Sequence, residues 1–439
     1  MARVLQPTLI LGGGVTGLAA GIASGLPVYE AERHPGGVCA AYYLRRGATE
    51  RMSAPDGTDD VFRFEHGGGH WIFGGHPDVL SIVEQLAPCA RIERRSSVYF
   101  PEQRRRVGFP LQHHLREFDR DVAAAALAEM LAARPTGAAT MAGWLDGQFG
   151  PTLGELFFRP FHDAYTAGLW REIAPQDGYK TPLDLAQVVR GAFTAAVPAG
   201  YNATFLYPRG GLDALVAALA ARVDLHAGRR IAAIDLARRE LAFADGTRLP
   251  WRRLLATLPL NRLLELCGLA GELPPEPHTS VLVVNIGARR GPTCPDDHWL
   301  YVPKSASGFH RVGFYSNVAE HFLPVADRGR GTAVSLYVER SYRGGERPDP
   351  GAIASYVDAV VRELQDWGFI GVADAVDPTW VDVAYTWSRP GSRWVAEAIA
   401  ALAAHDIRVA GRYARWSFQG ITDSLRDGFL AGQALRLGE

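Results

Sequence analysis

The chain has 439 residues, 47% of them hydrophobic and 21% charged, with a formal net charge of −1. This is the balance of a globular protein of two or three packed units, and it offers no bulk field to nucleic acid or an anionic membrane. Cys39, Cys89, Cys267 and Cys294 lack C-x-x-C or metal-ligand spacing, and no apolar run is long enough to span a membrane. The expectation is free thiols, no metal and a cytoplasmic location.

The first predicted strand, Leu9–Leu11, runs into Gly12-Gly13-Gly14-Val15-Thr16-Gly17 and then a helix of small residues. Gly12, Gly14 and Gly17 fit G-x-G-x-x-G. Gly12 permits the tight turn, Gly14 lets a pyrophosphate reach the backbone, and Gly17 lets the helix pack closely. Free N–H groups at the helix start would face the phosphates. Val28-Tyr29-Glu30 ends a second short strand, and its carboxylate suits a ribose hydroxyl pair. Strand, turn, helix, strand and acid in that order predict a bound dinucleotide, and with it a cofactor that carries the chemistry.

Further along, Arg33–Ala40 is a glycine-containing loop near that cofactor, and Phe64–Gly75 is glycine-rich around His70. Helical patterns at Ala124–Ala133 and Leu153–Phe161 make residues 110–200 mostly helical. Tyr207–Ala221 passes from loop to helix. Ile231–Leu249 reads as two strands about the Asp245-Gly246 turn. Val281–Ile286, His298–Val302, Arg311–Tyr315 and Ala333–Val338 predict further strands in an antiparallel sheet. Ala352–Trp367 and Trp394–Ala404 read as helices. Ile407–Gly411 is a last buried strand before the helix Asp423–Leu437, returning the chain to the cofactor.

Four separated segments together resemble the UDP-galactopyranose mutase family, within the larger flavin amine-oxidase-like superfamily. The N-terminal fingerprint with Pro35-Gly36-Gly37, and Gly411-Arg412-Tyr413 with Asp423-Ser424 and Gly428, are similar to the superfamily's two flavin segments. Phe64–Gly75 resembles the family's histidine loop. Tyr201–Gly211 (YNATFLYPRGG) is close to a segment of the eukaryotic-type mutases. Trp299–Pro303 (WLYVP) with Phe309–Asn317, and Ala384-Tyr385 with Ser388-Arg389-Pro390, match two more.

The resemblance implies an α/β fold: a Rossmann-like FAD-binding domain (1–95 with 205–260 and 395–439), a mainly helical substrate domain (96–200) and an antiparallel sheet domain (261–394). It implies FAD, active when reduced, with NAD(P)H a candidate reductant. Gly12, Gly14, Gly17, Glu30, Gly37, Gly69, Gly411, Arg412 and Ser424 would hold the flavin. His70, Arg311 and Arg412 would be catalytic. Tyr301 and Tyr385 would join Arg311 on a diphosphate, and Asn202 would meet sugar hydroxyls. Gln112 and Phe109 fall in the segment that cradles the base, with Phe109 and Leu111 replacing the usual Tyr and Phe. Phe418 stands where the family has a phosphate-binding tyrosine. The second diphosphate arginine has Lys180 and Arg190 as candidates.

The activity so implied is a pyranose–furanose ring isomerisation of a nucleotide sugar. The flavin N5 acts as nucleophile, there is no net redox, and the nucleotide stays open among UDP, dTDP and GDP. The alternative is an amine-oxidase-type FAD oxidoreductase acting on an amine or lipophilic substrate. It would share the flavin segments without needing Arg311 and two tyrosines.

Overall fold

The computed structural model describes residues 7–133, 137–176, 183–195, 203–271 and 275–437. Asn202 and Lys180 lie outside the described residues. The apolar run Thr8–Leu11 forms a buried strand with parallel partners on both sides. The sheet around it has five strands in the order Leu225–His226, Val28–Tyr29, Thr8–Leu11, Arg253–Ala256, Ile407–Val409, all paired parallel. Continuous burial of Ile10, Val28, Leu254, Leu255 and Ile407 is what a parallel sheet covered on both faces requires. The carboxyl ends of four of these strands lead directly to Gly12, Glu30, Thr257 and Gly411.

The helix Val15–Ser24 follows the glycine turn and stops at Gly25, whose φ of 73° ends the helix with an N–H bond to the Gly21 carbonyl. The last helix, Ile421–Leu437, packs along it. A Cβ on Gly428 would lie 2.2 Å from the Thr16 carbonyl oxygen, and one on Gly432 2.4 Å from that of Ala20. One missing side chain per turn therefore lets the two backbones meet. This contact brings residues 411–424 back beside the glycine turn.

The second large sheet has seven strands: Ile370–Thr386, His278–Arg290, Ala333–Arg343, Arg311–Phe314, Trp299–Tyr301, Ser96–Phe100 and Arg105–Gly108. It departs from expectation in three ways. Trp299–Tyr301 pairs parallel with Ser96–Phe100, so the sheet is mixed. Ser96–Phe100 and Arg105–Gly108, at the head of the segment expected to be helical, complete its edge. Ile370–Thr386 is a long strand with no counterpart in the sequence reading. Its three aspartates, one glycine and Pro378 disguise it, because each is depleted in strands. Pro378 is tolerated because this strand lies at the sheet edge, where a missing N–H breaks no ladder. The expected hairpin at 231–249 is a three-stranded meander, Ile231–Asp235, Glu240–Phe243 and Arg248–Pro250, with Asp245-Gly246 at its second turn.

Helices Arg120–Ala132, Met141–Leu153, Arg159–Tyr165 and Leu185–Phe193 supply the helical region. Within the second, Gly150 (φ 71°) breaks the helix before Pro151, and between it and the third Gly154–Phe158 winds as a wider π turn. That turn adds a residue to the helical repeat and re-aims the helix beyond it. Phe157 and Phe158, 2% exposed, and Phe161 face inward there with Phe149, Leu153 and Trp170.

Candidate active site

Two cavities meet above the sheets. The first, of about 350 Å³, follows the carboxyl ends of the parallel strands, where ligands of open α/β sheets bind. Gly12, Gly14, Glu30, Gly37, Gly69, His70, Gly411, Arg412 and Ser424 all line it. Gly17 does not. A Cβ there would sit 1.9 Å from the Gly12 carbonyl oxygen, so its place is inside the turn. A Cβ on Gly14 would meet nothing within 4 Å, leaving open space above the backbone. No side chain caps the helix start at Gly14, so its N–H groups stay available to an anion.

The Glu30 carboxylate accepts the Gly13 N–H at 2.6 Å and the Glu32 N–H at 2.8 Å. It therefore pins the glycine turn as well as facing the cavity. At the far end Arg412 donates to the Ala384 carbonyl at 3.0 Å, and its Nε is buried with no partner. Its guanidinium lies 4.5 Å from the Phe418 ring centroid. An open glycine cradle, uncapped helix N–H groups and an arginine whose buried Nε has no partner fit a pyrophosphate-bearing dinucleotide with a ring system at the Arg412 end.

His70 closes one wall of this cavity. Burial drives its pKa down to about 4. It is thus neutral at pH 7, and its Nδ1 lies 3.1 Å from the Gly68 carbonyl. A carbonyl only accepts, so Nδ1 carries the proton and Nε2 keeps its lone pair.

The second cavity, about 210 Å³, shares Gly69, Trp71, Phe73, Arg311, Tyr385 and Phe418 with the first. Beyond them its walls are Phe109, Trp144, Phe157, Phe158, Phe161, Tyr165, Trp299, Tyr301 and Trp387, with His162, Gln176 and His310 as polar points. Arg311 stands at the junction, opposite Tyr301 across the Trp299–Tyr301/Arg311–Phe314 ladder. Its Nε and Nη2 donate to Glu339 at 3.0 and 2.6 Å, and Nη2 reaches the Tyr385 hydroxyl at 3.5 Å. Glu339 is 2% exposed, and the guanidinium beside it pulls its pKa down to about 2 against the cost of burial. The carboxylate thus grips one edge of Arg311 and fixes the other toward the cavities.

The structure brings His70, Arg311, Arg412, Tyr301, Tyr385, Phe109 and Phe418 to these two spaces. It does not bring Gln112, buried in the turn Leu111–His113, into either, nor the exposed Arg190. Sequence reasoning missed Glu339, His310, His162 and the aromatic wall beyond Phe109, Tyr301, Tyr385 and Phe418. Glu339 had a signal: it is the one acid in Ala333–Tyr342, directly after the mostly apolar run Ala333–Val338. Phe157, Phe158 and Phe161 had none, since aromatics at helical spacing also describe any core.

Fold and cradle define a dinucleotide-binding α/β protein of the flavoenzyme type. A profile described as "Flavin containing amine oxidoreductase" matches residues 26–435, and the chain belongs to that family, whose cofactor is an FAD-type flavin. No curated protein sequence matches the chain. Among solved structures it is similar to a reduced UDP-galactopyranose mutase, at 21% identity and TM-score 0.83, over 99% of this chain and 94% of that one. A protein provisionally named protoporphyrinogen oxidase from Exiguobacterium sp. 255-15 gives 15% identity and 0.71, over 99% of both chains. A redesigned putrescine oxidase gives 17% and 0.56, again over 99% of both. At these identities the likeness is one of fold. Among the described residues no helix is long and apolar enough to cross a membrane, and no group of His, Cys, Asp or Glu could hold a metal.

Proposed function

We propose that this chain is a flavin-dependent mutase that interconverts the pyranose and furanose forms of a nucleoside-diphosphate sugar. The observation that carries the reading is Arg311: a cation clamped on one edge by Glu339, open on the other, and flanked by two phenols where the cavities join. A departing diphosphate needs such a fixed cation with directional donors. Keeping the leaving group beside the sugar raises its effective concentration for the return step. Reduced flavin in the first cavity would supply a nucleophile for the anomeric carbon with no net oxidation. His70 would offer its Nε2 as a fixed acceptor to a sugar hydroxyl. The aromatic faces beyond Tyr301 would stack the base, Phe109 foremost, being 4.5 Å from the Tyr301 ring.

A second reading rests on a specific observation. Arg311 with Glu339 is a neutral pair, and the rest of the second cavity carries no charged side chain at pH 7. Such a space also suits a lipophilic donor of an oxidase. The deciding assay offers UDP-galactose in both ring forms, and dTDP- and GDP-hexoses, to the yellow protein with and without dithionite. Ring interconversion only after reduction supports the mutase. Its absence with every nucleotide, together with oxygen uptake on an amine or lipophilic donor, moves the chain to the oxidase class.

A further inference from the structure

The charge at the cavity junction poses a problem that the residue before Arg311 answers. A nucleoside-diphosphate sugar carries two negative charges. The Arg311–Glu339 pair offers a net charge of zero, and Arg412, against the Phe418 and Tyr385 rings, supplies one positive charge. One negative charge is left over, and an uncompensated buried charge is costly, so binding should draw a further positive charge into the site. His310 is the group placed to carry it.

His310 is 1% exposed and lines the second cavity. Neither of its ring nitrogens has a hydrogen-bond partner within 3.5 Å, although Glu339 is near enough to raise its proton affinity. Its Nε2 lies 3.6 Å from Glu339 Oε2, the same oxygen that accepts from Arg311, just beyond hydrogen-bonding distance. Its backbone is locked: the N–H donates to the Glu339 carbonyl at 3.0 Å, and the carbonyl accepts from Val302 at 2.9 Å. The groups facing the ring are Glu339 from the neighbouring strand, Arg311 beside it and the Tyr165 ring at 5.4 Å from the helical side, with the uncharged Phe161 at 6.1 Å. Burial and Arg311 keep the imidazole neutral when the site is empty, while Glu339 opposes them.

We infer that His310 is the proton acceptor coupled to anion binding: when a nucleoside diphosphate reaches the open edge of Arg311, His310 takes one proton from solvent and pairs with Glu339. The inference rests on the diphosphate reading above. No other bond is made or broken, and the proton returns to solvent when the ligand leaves. The ligand's charge raises the imidazole's proton affinity. The new His310–Glu339 bond shares the carboxylate, so Arg311 turns more of its charge to the phosphates. His310 acts through Glu339 and Arg311 and is a positioning residue.

The test is titration calorimetry of the oxidised holoenzyme with UDP-galactose, whose diphosphodiester holds its charge constant between pH 6 and 8. Running it at pH 7 in buffers of different ionisation enthalpy counts the protons exchanged. The expected result is uptake of about one proton per ligand, with affinity falling about tenfold per pH unit above neutrality. His310→Gln should abolish the uptake while ligand still binds, and His321→Gln, at a histidine stacked on Tyr207 outside both cavities, should keep it. Binding by wild type without uptake overturns the inference and leaves the diphosphate reading standing. So does uptake that persists in His310→Gln or vanishes in His321→Gln. No binding of UDP-, dTDP- or GDP-sugars overturns the reading itself and the inference with it. The wild-type buffer series decides the matter even where the variant does not fold.

Discussion

The two cavities share Arg311 and Tyr385, yet they are built by opposite rules. The flavin-side cavity is mostly backbone: glycines at the ends of parallel strands, a helix start, and one carboxylate pinning the turn. The far cavity is almost wholly side chain, gathered from the helices after Met141 and from strands of the mixed sheet. Recognition by backbone demands particular residue types at fixed local spacing. Recognition by aromatic walls demands only apolar volume, which many sequences supply. Damage to the first should therefore be all-or-none, and damage to the second graded.

Two neighbouring glycines test the first rule most severely. Gly17→Ala forces a Cβ to within 1.9 Å of the Gly12 carbonyl, so the turn must shift. A loss of about 3 kcal/mol is expected, read as a lower urea midpoint and colourless protein. Gly14→Ala meets nothing within 4 Å. The apoprotein should keep its stability to within about 0.5 kcal/mol, while the flavin absorbance disappears. A Gly14→Ala protein that stays fully yellow would show that no phosphate approaches that backbone.

At the junction, Arg311→Lys keeps the charge but loses the side-on fork to Glu339. Flavin should remain bound, and kcat should fall by about a hundredfold or more, the scale for losing one oriented donor at a reacting centre. Unchanged turnover sinks the assignment of Arg311. The same logic explains what the sequence revealed. That Gly12, Gly14, Glu30 and Gly411 line one cavity was legible because their spacing is local. That Arg311, Tyr301 and Tyr385 line the other was legible through short segments similar to a known family. His310 and Glu339 lie 29 positions apart and meet only through strand register, so no spacing rule finds them. Ile370–Thr386 was hidden because edge position, a property of the sheet and not of the strand, licenses its proline.

Two buried carboxylates carry the contrast into pH dependence. Glu65, fully buried behind the histidine loop, has its pKa pushed up to about 7 by burial, although Arg63 and the Tyr207 hydroxyl oppose the shift. Its folded value lies above the ordinary 4.5, so it holds a proton that the unfolded chain has lost. Stability from this group is greatest below pH 4.5, falls as pH rises to about 7, and is level above. Glu339, with its value lowered to about 2, behaves oppositely: its contribution is present above pH 4.5 and lost as pH falls toward 2. Glu65→Gln should accordingly remove a decline of about 1–3 kcal/mol between those limits. Urea melts of wild type and variant at pH 5 and pH 8 measure it. A difference between them that does not change with pH refutes the account.

The smallest change asks whether the far cavity's departures from the mutase pattern matter. Phe418 lines both cavities with its ring 4.5 Å from the Arg412 guanidinium. Phe418→Tyr adds one hydroxyl without altering that stacking. If a diphosphate lies between Arg311 and Arg412, the new donor should contribute about 1 kcal/mol, and UDP-galactose should bind about fivefold tighter. If the cavity instead holds a lipophilic donor, the hydroxyl is desolvated without a partner, and affinity for that donor should fall by a comparable factor. The two readings thus predict opposite signs from one atom.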